Sequence, residues 1–320
     1  MRFDRKAPGQ GVDAVCSLES GRATIEWKFY FRKEEQKSMG YLLTLIMRDK
    51  EGETVLLCMQ EAEEEEALVS VVLHPYQWNC QTPYLYDVEA VLQDAEGKET
   101  DTLRRQLPLR EICFHPRRGW LLNGAEFVLK AVEYTAPQCA SQAEKQRIIL
   151  EDLNLLKKMG ANCIHTDPSL WKLCDRLGFL VWDQDMAAVE KEIPCLAGEG
   201  DGRLSLRQES SLFYRYKAKW SDEPFVYIAP DSISVMPSGN LKVAVYSNCC
   251  RVVLYSDGVL FEFQSGDGEF IFQEVPAKGP CITLSAEGDG CSMSLSLHKT
   301  FQKSGGMNCY NMILSHPHNS

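Results

Sequence analysis

The sequence predicts a mixed, mainly β protein in which two β-sandwiches flank a small α/β segment. Three observations predict it: short strands with period-two alternation toward both ends, one strongly amphipathic helix in the middle, and short apolar strands alternating with helices beside it. A length of 320 residues, with 44% hydrophobic and 25% charged side chains, accommodates several such units and excludes a disordered or fibrous chain.

The first sandwich is expected over residues 1–112. Ile25, Trp27, Phe29 and Phe31 alternate with Glu26, Lys28 and Tyr30, the pattern of a strand with one buried face. YLLTLIM at 41–47, TVLLCM at 54–59, ALVSVVL at 67–73 and YLYDVEAVL at 84–92 continue at sandwich spacing, with polar turns at DKEG and AEGK. EAEEEEA at 61–67 reads as a solvated loop of mutually repelling carboxylates rather than a cation site.

Residues 113–222 change character. A hairpin around Asn123-Gly124 is expected to run into a buried strand at Phe127 to Val132. From Ser141 to Gly160, Ile148, Ile149, Leu153, Leu155, Leu156 and Met159 form one broad stripe; Ser141 with Glu144 three residues on is a start signal, and Gly160 is a stop. ANCIHT, SLWKLCDRLG and FLVWDQD then read as strand, helix and strand, which implies a parallel pair with a right-handed crossover. Residues 186–207 lack periodicity and read as a linker, and LFYRYKAKW reads as a helix that stops before Pro224. The second sandwich is expected over 223–302, followed by a frayed tail at 303–320.

The net charge of −11 would repel a phosphate backbone, so no nucleic-acid partner is expected. No apolar run is long enough to cross a membrane and MRFDRKAPGQ lacks a signal-peptide core, so the expected location is the cytoplasm. Thirteen cysteines at irregular spacing suggest reduced thiols, many of them buried, rather than a metal cage; no metal and no cofactor is expected.

Five strings, in order, resemble glycoside hydrolase family 2, the β-galactosidase and β-glucuronidase group: YQWNCQTPYLYDVEAVL, REICFHPRRGWLLNGAEFVLKAV, KKMGANCIHTD with KLCDRLGFLVWDQD, FYRYKAKWSDEP, and VYSNCCRVVLYSDG. The resemblance implies immunoglobulin-like sandwiches and makes the middle segment a remnant of a TIM barrel, with pieces of its first three strands and its closing helix. It also implies that the family's leading jelly-roll domain is missing, because the first β-run starts near residue 20.

Retaining glycosidases need two carboxyl groups about 5 Å apart. The family carries them on later barrel strands, its acid/base glutamate following an asparagine. This chain has no Asn-Glu dipeptide, and Glu190, Glu192, Glu199 and Glu209, the nearest carboxylates in position for the nucleophile, fall in or beside the linker. Carried over position by position, the family's Arg-Gly of the first strand is Lys130-Ala131, its following His is Thr135, its Arg of the second strand is His165, and its Asp-Glu pair is Asp183-Gln184. Lys130, His165, Asp183 and Gln184 are therefore the remnant candidates for contact with a sugar, and no catalytic residue is assigned. His165 reads as a structural histidine, and Trp171 and Trp182 as core rather than sugar platforms.

The expectation is a degenerate, non-catalytic homologue acting as a carbohydrate-binding or protein-interaction module. The alternatives are an active glycosidase recruiting carboxylates such as Asp183 and Glu199, and a decayed gene product. A three-stranded parallel remnant would leave sheet edges open, so covering by the linker, the sandwiches or a second copy of the chain is expected.

Overall fold

The computed structural model describes residues 1–5, 11–32, 40–62, 67–139, 141–182 and 211–298. Two compact units emerge, one of Met1–Leu129 with Asn162–Val189, the other of Lys130–Ala161 with Glu190–Ser320. The Glu-rich loop at 63–66, the stretch 183–210 with Asp183, Gln184 and the four linker glutamates, and the tail lie outside the described residues.

In chain order the first sandwich comprises β1 (Arg2–Phe3), β2 (Val12–Glu19), β3 (Arg22–Phe29), β4 (Phe31–Arg32), β5 (Leu42–Arg48), β6 (Thr54–Glu61), β7 (Leu68–Leu73), β8 (Leu85–Gln93) and β9 (Glu99–Pro108). β2-β3-β7 form one antiparallel sheet and β6-β5-β8-β9 the other, while β1 and β4 make a short ladder. The alternation works as anticipated: Ile25, Trp27 and Phe29 face inward with Leu43, Leu45, Met47, Val88, Ala90 and Leu92, and Glu26 and Lys28 face out. The buried Trp27 indole donates to the Ser70 hydroxyl at 2.8 Å, so its one polar atom is satisfied inside the core.

β10 (Ile112–His115), β11 (Gly119–Leu122) and β12 (Ala125–Glu126) form a small antiparallel sheet. Its β11–β12 turn places Asn123 and Gly124 at φ of 53° and 79°, as a two-residue hairpin of matching twist requires. The strand expected at 127–132 is present only as β13 (Ala131–Glu133). Phe127 instead donates its N–H to the Trp120 carbonyl at 2.9 Å, prolonging the hairpin, and Val128 is exposed.

α1 (Gln142–Met159) starts and stops where its signals stand: the Ser141 side chain accepts from Glu144 N–H, and Gly160 closes the helix in the left-handed region. β14 (Cys163–His165) and β15 (Leu180–Trp182) pair in parallel, joined by a 3-10 turn and α2 (Trp171–Leu177), which ends at left-handed Gly178. Trp182 is buried as expected, but Trp171 at 42% exposure is not core, because the short helix turns that position outward.

After α3 (Ser211–Trp220) come β16 (Val226–Ile228), β17 (Ser234–Val235), β18 (Leu241–Ser247), β19 (Arg251–Ser256), β20 (Val259–Ser265), β21 (Gly268–Val275), β22 (Cys281–Gly288) and β23 (Cys291–His298). β16, β17 and β21 flank β18 in one sheet and β20-β19-β22-β23 make the other. Val243, Val245, Leu254, Phe270, Phe272, Leu284 and Leu295 fill the space between them. The fold is mainly β, with a sandwich in each unit.

Candidate functional site

Within the first unit, Trp78 ties the sandwich to α2, the helix that joins the two parallel strands. Trp78 is fully buried; its indole N–H donates to the Asp175 carbonyl at 2.8 Å, its backbone N–H to Leu109 at 2.9 Å, and its own carbonyl accepts from the Asn123 side chain at 2.9 Å. The Arg110 guanidinium lies 4.2 Å from the indole ring and 2.8 Å from the Asp175 carboxylate. That ion pair is a close charge contact rather than an aligned hydrogen bond, so the ring face and the carboxylate share the cation. Asn162 adds a second tie: its side chain donates to Val128 at 2.8 Å and its carbonyl accepts from Leu180 N–H at 2.9 Å.

Beside this junction lies a cleft of about 320 Å³, between β8, β9 and α2. Arg104, Arg105, Lys172 and Arg176 bring four cations to it, Asp87 and Asp175 two anions, and Gln106 an amide. Asp175 is already held by Arg110. Arg104 shares Glu89 with Arg48, and these two guanidiniums hold the Glu89 carboxyl below its ordinary range. Arg105 donates to the Val12 carbonyl, and burial lowers its pKa from the usual arginine value. Arg176 donates to the Gln106 side chain at 2.8 Å. In a chain of net charge −11, the cleft is a local concentration of donors suited to hydroxyl and carboxylate oxygens.

Burial pushes the nearby Cys174 thiol up to about 12, which leaves it a neutral packing group rather than a nucleophile. Among the described residues, no group of three or more His, Cys, Asp or Glu is placed to hold a metal ion.

Lys130 lies just before β13 and donates from Nζ to the Trp220 carbonyl at 2.6 Å, a cation at the C-terminal end of α3. His165 ends β14, with its ring 5.6 Å from that of Trp182, its register partner on β15. Next to it, the Thr166 hydroxyl and the Trp182 indole N–H are buried without a hydrogen-bond partner among the described residues. Thr135 is exposed. Lys130 and His165 belong to different units, and Asp183 and Gln184 lie outside the described residues.

Three described carboxylates of the α/β segment have structural ties. Asp152, buried in α1, accepts from Tyr134 at 3.0 Å; Asp167 caps the 3-10 turn through Ser169 N–H; Asp175 pairs with Arg110. No local signal in the chain announces the cleft, because its two halves lie some 70 positions apart and each reads alone as a solvated charged face.

Residues 12–110, the first sandwich, match the family model for glycosyl hydrolases family 2. The β-galactosidase BoGH2A of Bacteroides ovatus is 31% identical over 178 residues, 47% of this chain and 21% of that protein. A β-glucuronidase of Bacteroides fragilis is 30% identical over 140 residues, 42% of this chain and 20% of that protein. The chain thus matches about a fifth of the length of these relatives.

In fold, the chain is similar to the FMN-binding β-glucuronidase of Faecalibacterium prausnitzii L2-6, with a TM-score of 0.72 at 16% identity, covering 95% of this chain and 76% of that one. The Bacteroides uniformis β-glucuronidase gives 0.64 at 15% identity, covering 92% and 61%. The likeness to glycosyl hydrolases family 2 thus rests, in sequence, on the first sandwich and on about a fifth of these relatives' length, while the solved structures share the fold.

Proposed function

We propose that the chain is a non-catalytic relative of the family 2 glycosidases that binds carbohydrate, with its α/β segment left over from a TIM barrel. The observation that carries this reading is the interval between Trp182, the end of β15, and Ser211, the start of α3. Only positions 183–210 separate them, whereas the five further strand-helix units of a barrel would need roughly 150 residues. By the resemblance, both catalytic glutamates would stand on strands within that interval, and the sequence has no Asn-Glu dipeptide.

Binding is assigned to the cleft between β9 and α2. Arg176 and Lys172 offer donors to sugar oxygens, and Asp87, one of whose oxygens accepts from the Gln106 amide at 3.2 Å, an acceptor. His165, beside the buried Thr166 hydroxyl and Trp182 indole, is the second position proposed to meet a ligand, together with Asp183 and Gln184. Lys130 is proposed to serve structure, since its ammonium already donates to the end of α3.

The test pairs turnover with binding. Purified protein is expected to leave aryl β-galactosides and aryl β-glucuronides uncleaved, and to bind an oligosaccharide on a glycan array with a loss of about tenfold or more in Arg176→Ala, the size of effect of one lost charge-assisted hydrogen bond. Turnover that disappears in Asp183→Asn or Glu199→Gln would instead establish an active glycosidase with non-standard carboxylates. Absence of glycan binding, with a protein partner captured through the same cleft and lost in Arg176→Ala, would replace the ligand class.

A further inference from the structure

The second sandwich holds a feature that carbohydrate binding leaves unused. Cys249 follows β18 in the turn toward β19, and Cys291 opens β23, yet their sulfurs lie 3.6 Å apart although the residues are 42 positions apart in sequence. Cys249 is 2% exposed, and its Sγ lies 3.7 Å from the Phe225 carbonyl. A Cβ built on Gly288 would come within 3.0 Å of the Cys249 Cβ, so the turn is pressed against the β22–β23 hairpin and only glycine fits opposite it. Cys291 is half-buried, and it lines an open cleft of about 640 Å³ with Arg251, Glu287 and Asp289, which gives a small molecule a way to its sulfur.

We infer that Cys249 and Cys291 are a modification site that closes to a disulfide on reaction with a small-molecule disulfide such as oxidised glutathione. A disulfide needs its sulfurs about 2.05 Å apart, so an approach of roughly 1.5 Å by side-chain rotation makes the bond. The steps balance. The Cys291 thiol gives its proton to solvent and attacks one sulfur of the oxidant, expelling one thiolate; Cys249, deprotonated in turn, attacks the Cys291 sulfur of the mixed disulfide and expels the second. Two protein thiols are oxidised, one disulfide is reduced to two thiols, and no other oxidant is consumed. Burial and the neighbouring Cys249 thiol hold the Cys291 thiol above its ordinary range, so the reaction is slow and favours sustained oxidising conditions over a brief pulse.

The test uses the full chain with Cys250→Ser, which removes the exposed neighbour that would blur peptide assignment. After equilibration with oxidised glutathione, denaturation and alkylation, two fewer thiols are expected to be tagged, and fragmentation should join the peptides that carry Cys249 and Cys291. The thermal midpoint of the oxidised protein is expected to rise by roughly 5–10 °C over the reduced form, from closure of a loop of this length. Full tagging of both cysteines, a glutathione adduct that stays on Cys291 without the crosslink, or crosslinks spread over other cysteines would each overturn the inference. These outcomes are read on a chain that keeps both cysteines, and Cys291→Ser serves as the control in which the crosslink must vanish.

Discussion

Among the described residues the two sandwiches bury cores of equal size, 17 residues each, with different contents. The first is rich in aromatic rings, Phe3, Trp27, Phe29 and Tyr86, and is tied to the next segment by a polar junction around Trp78. The second is largely aliphatic, with Phe270 and Phe272 as its rings and a thiol of the Cys249–Cys291 pair set in its core. The contrast locates where attachment is made. Aromatic residues with polar handles both fill a core and reach across it, while Val, Leu and Ile only fill it.

Emptying one core at a time puts this contrast under the greatest strain. Leu45→Ala and Leu254→Ala each delete a fully buried side chain and should cost about 2–5 kcal/mol. Calorimetry should show each variant lowering the transition of its own unit; one shared transition in both would mean that the units unfold together and the contrast has no energetic meaning.

Gly160→Ala probes the second unit more narrowly. A Cβ there would stand 2.4 Å from the Trp220 carbonyl, at a φ of 97° that side chains avoid, so a loss of about 2 kcal/mol or more is expected in urea unfolding. A near-neutral result would show that α1 and α3 can separate without cost. Next in size are the buried polar contacts. Ser70→Ala in the first core strands the Trp27 indole N–H, and Ser247→Ala in the second removes the hydroxyl that donates to Phe225 at 2.6 Å and accepts from Cys249 N–H at 3.0 Å. Each should cost about 1–3 kcal/mol, and equal losses would place polar support equally in both sandwiches. Ser141→Ala, which removes the cap of α1, should cost about 1 kcal/mol in the same assay.

The smallest expected effect depends on pH. Arg104 and Arg48 lower the Glu89 pKa in the folded state, so its contribution is present above the ordinary value of about 4.5 and is lost as pH falls through the lower folded value. Glu89→Gln should flatten the acid limb of the first unit's stability curve and leave the second unit's unchanged; an unaltered limb would show that solvent screens the pair completely.

Much of this architecture is legible in the sequence because it is set locally. Alternation at Ile25, Trp27 and Phe29 names the buried face of β3, and Ser141 and Gly160 mark the ends of α1 to the residue. What is not legible depends on distant partners. Nothing around Phe127 says that its N–H will extend a hairpin rather than begin a strand, and nothing around Trp171 says that the short helix will turn it outward. Asp152 stands on the apolar stripe of α1, four positions from Ile148 and from Leu156, and nothing near it says that the Tyr134 hydroxyl will be there to allow the burial of its carboxylate. The cleft is hidden for the same reason: Arg104 and Arg105 meet Lys172 and Arg176 only after the fold has formed.

The surroundings of Trp78 also make it an optical probe. Its indole is shielded from water, hydrogen-bonded to a helix carbonyl and faced by a guanidinium, all of which change if α2 leaves the sandwich while the sandwich stays folded. The difference in emission between the wild type and Trp78→Phe would then shift red before the far-ultraviolet signal of the sheets declines, and the junction would report its own opening without an added dye.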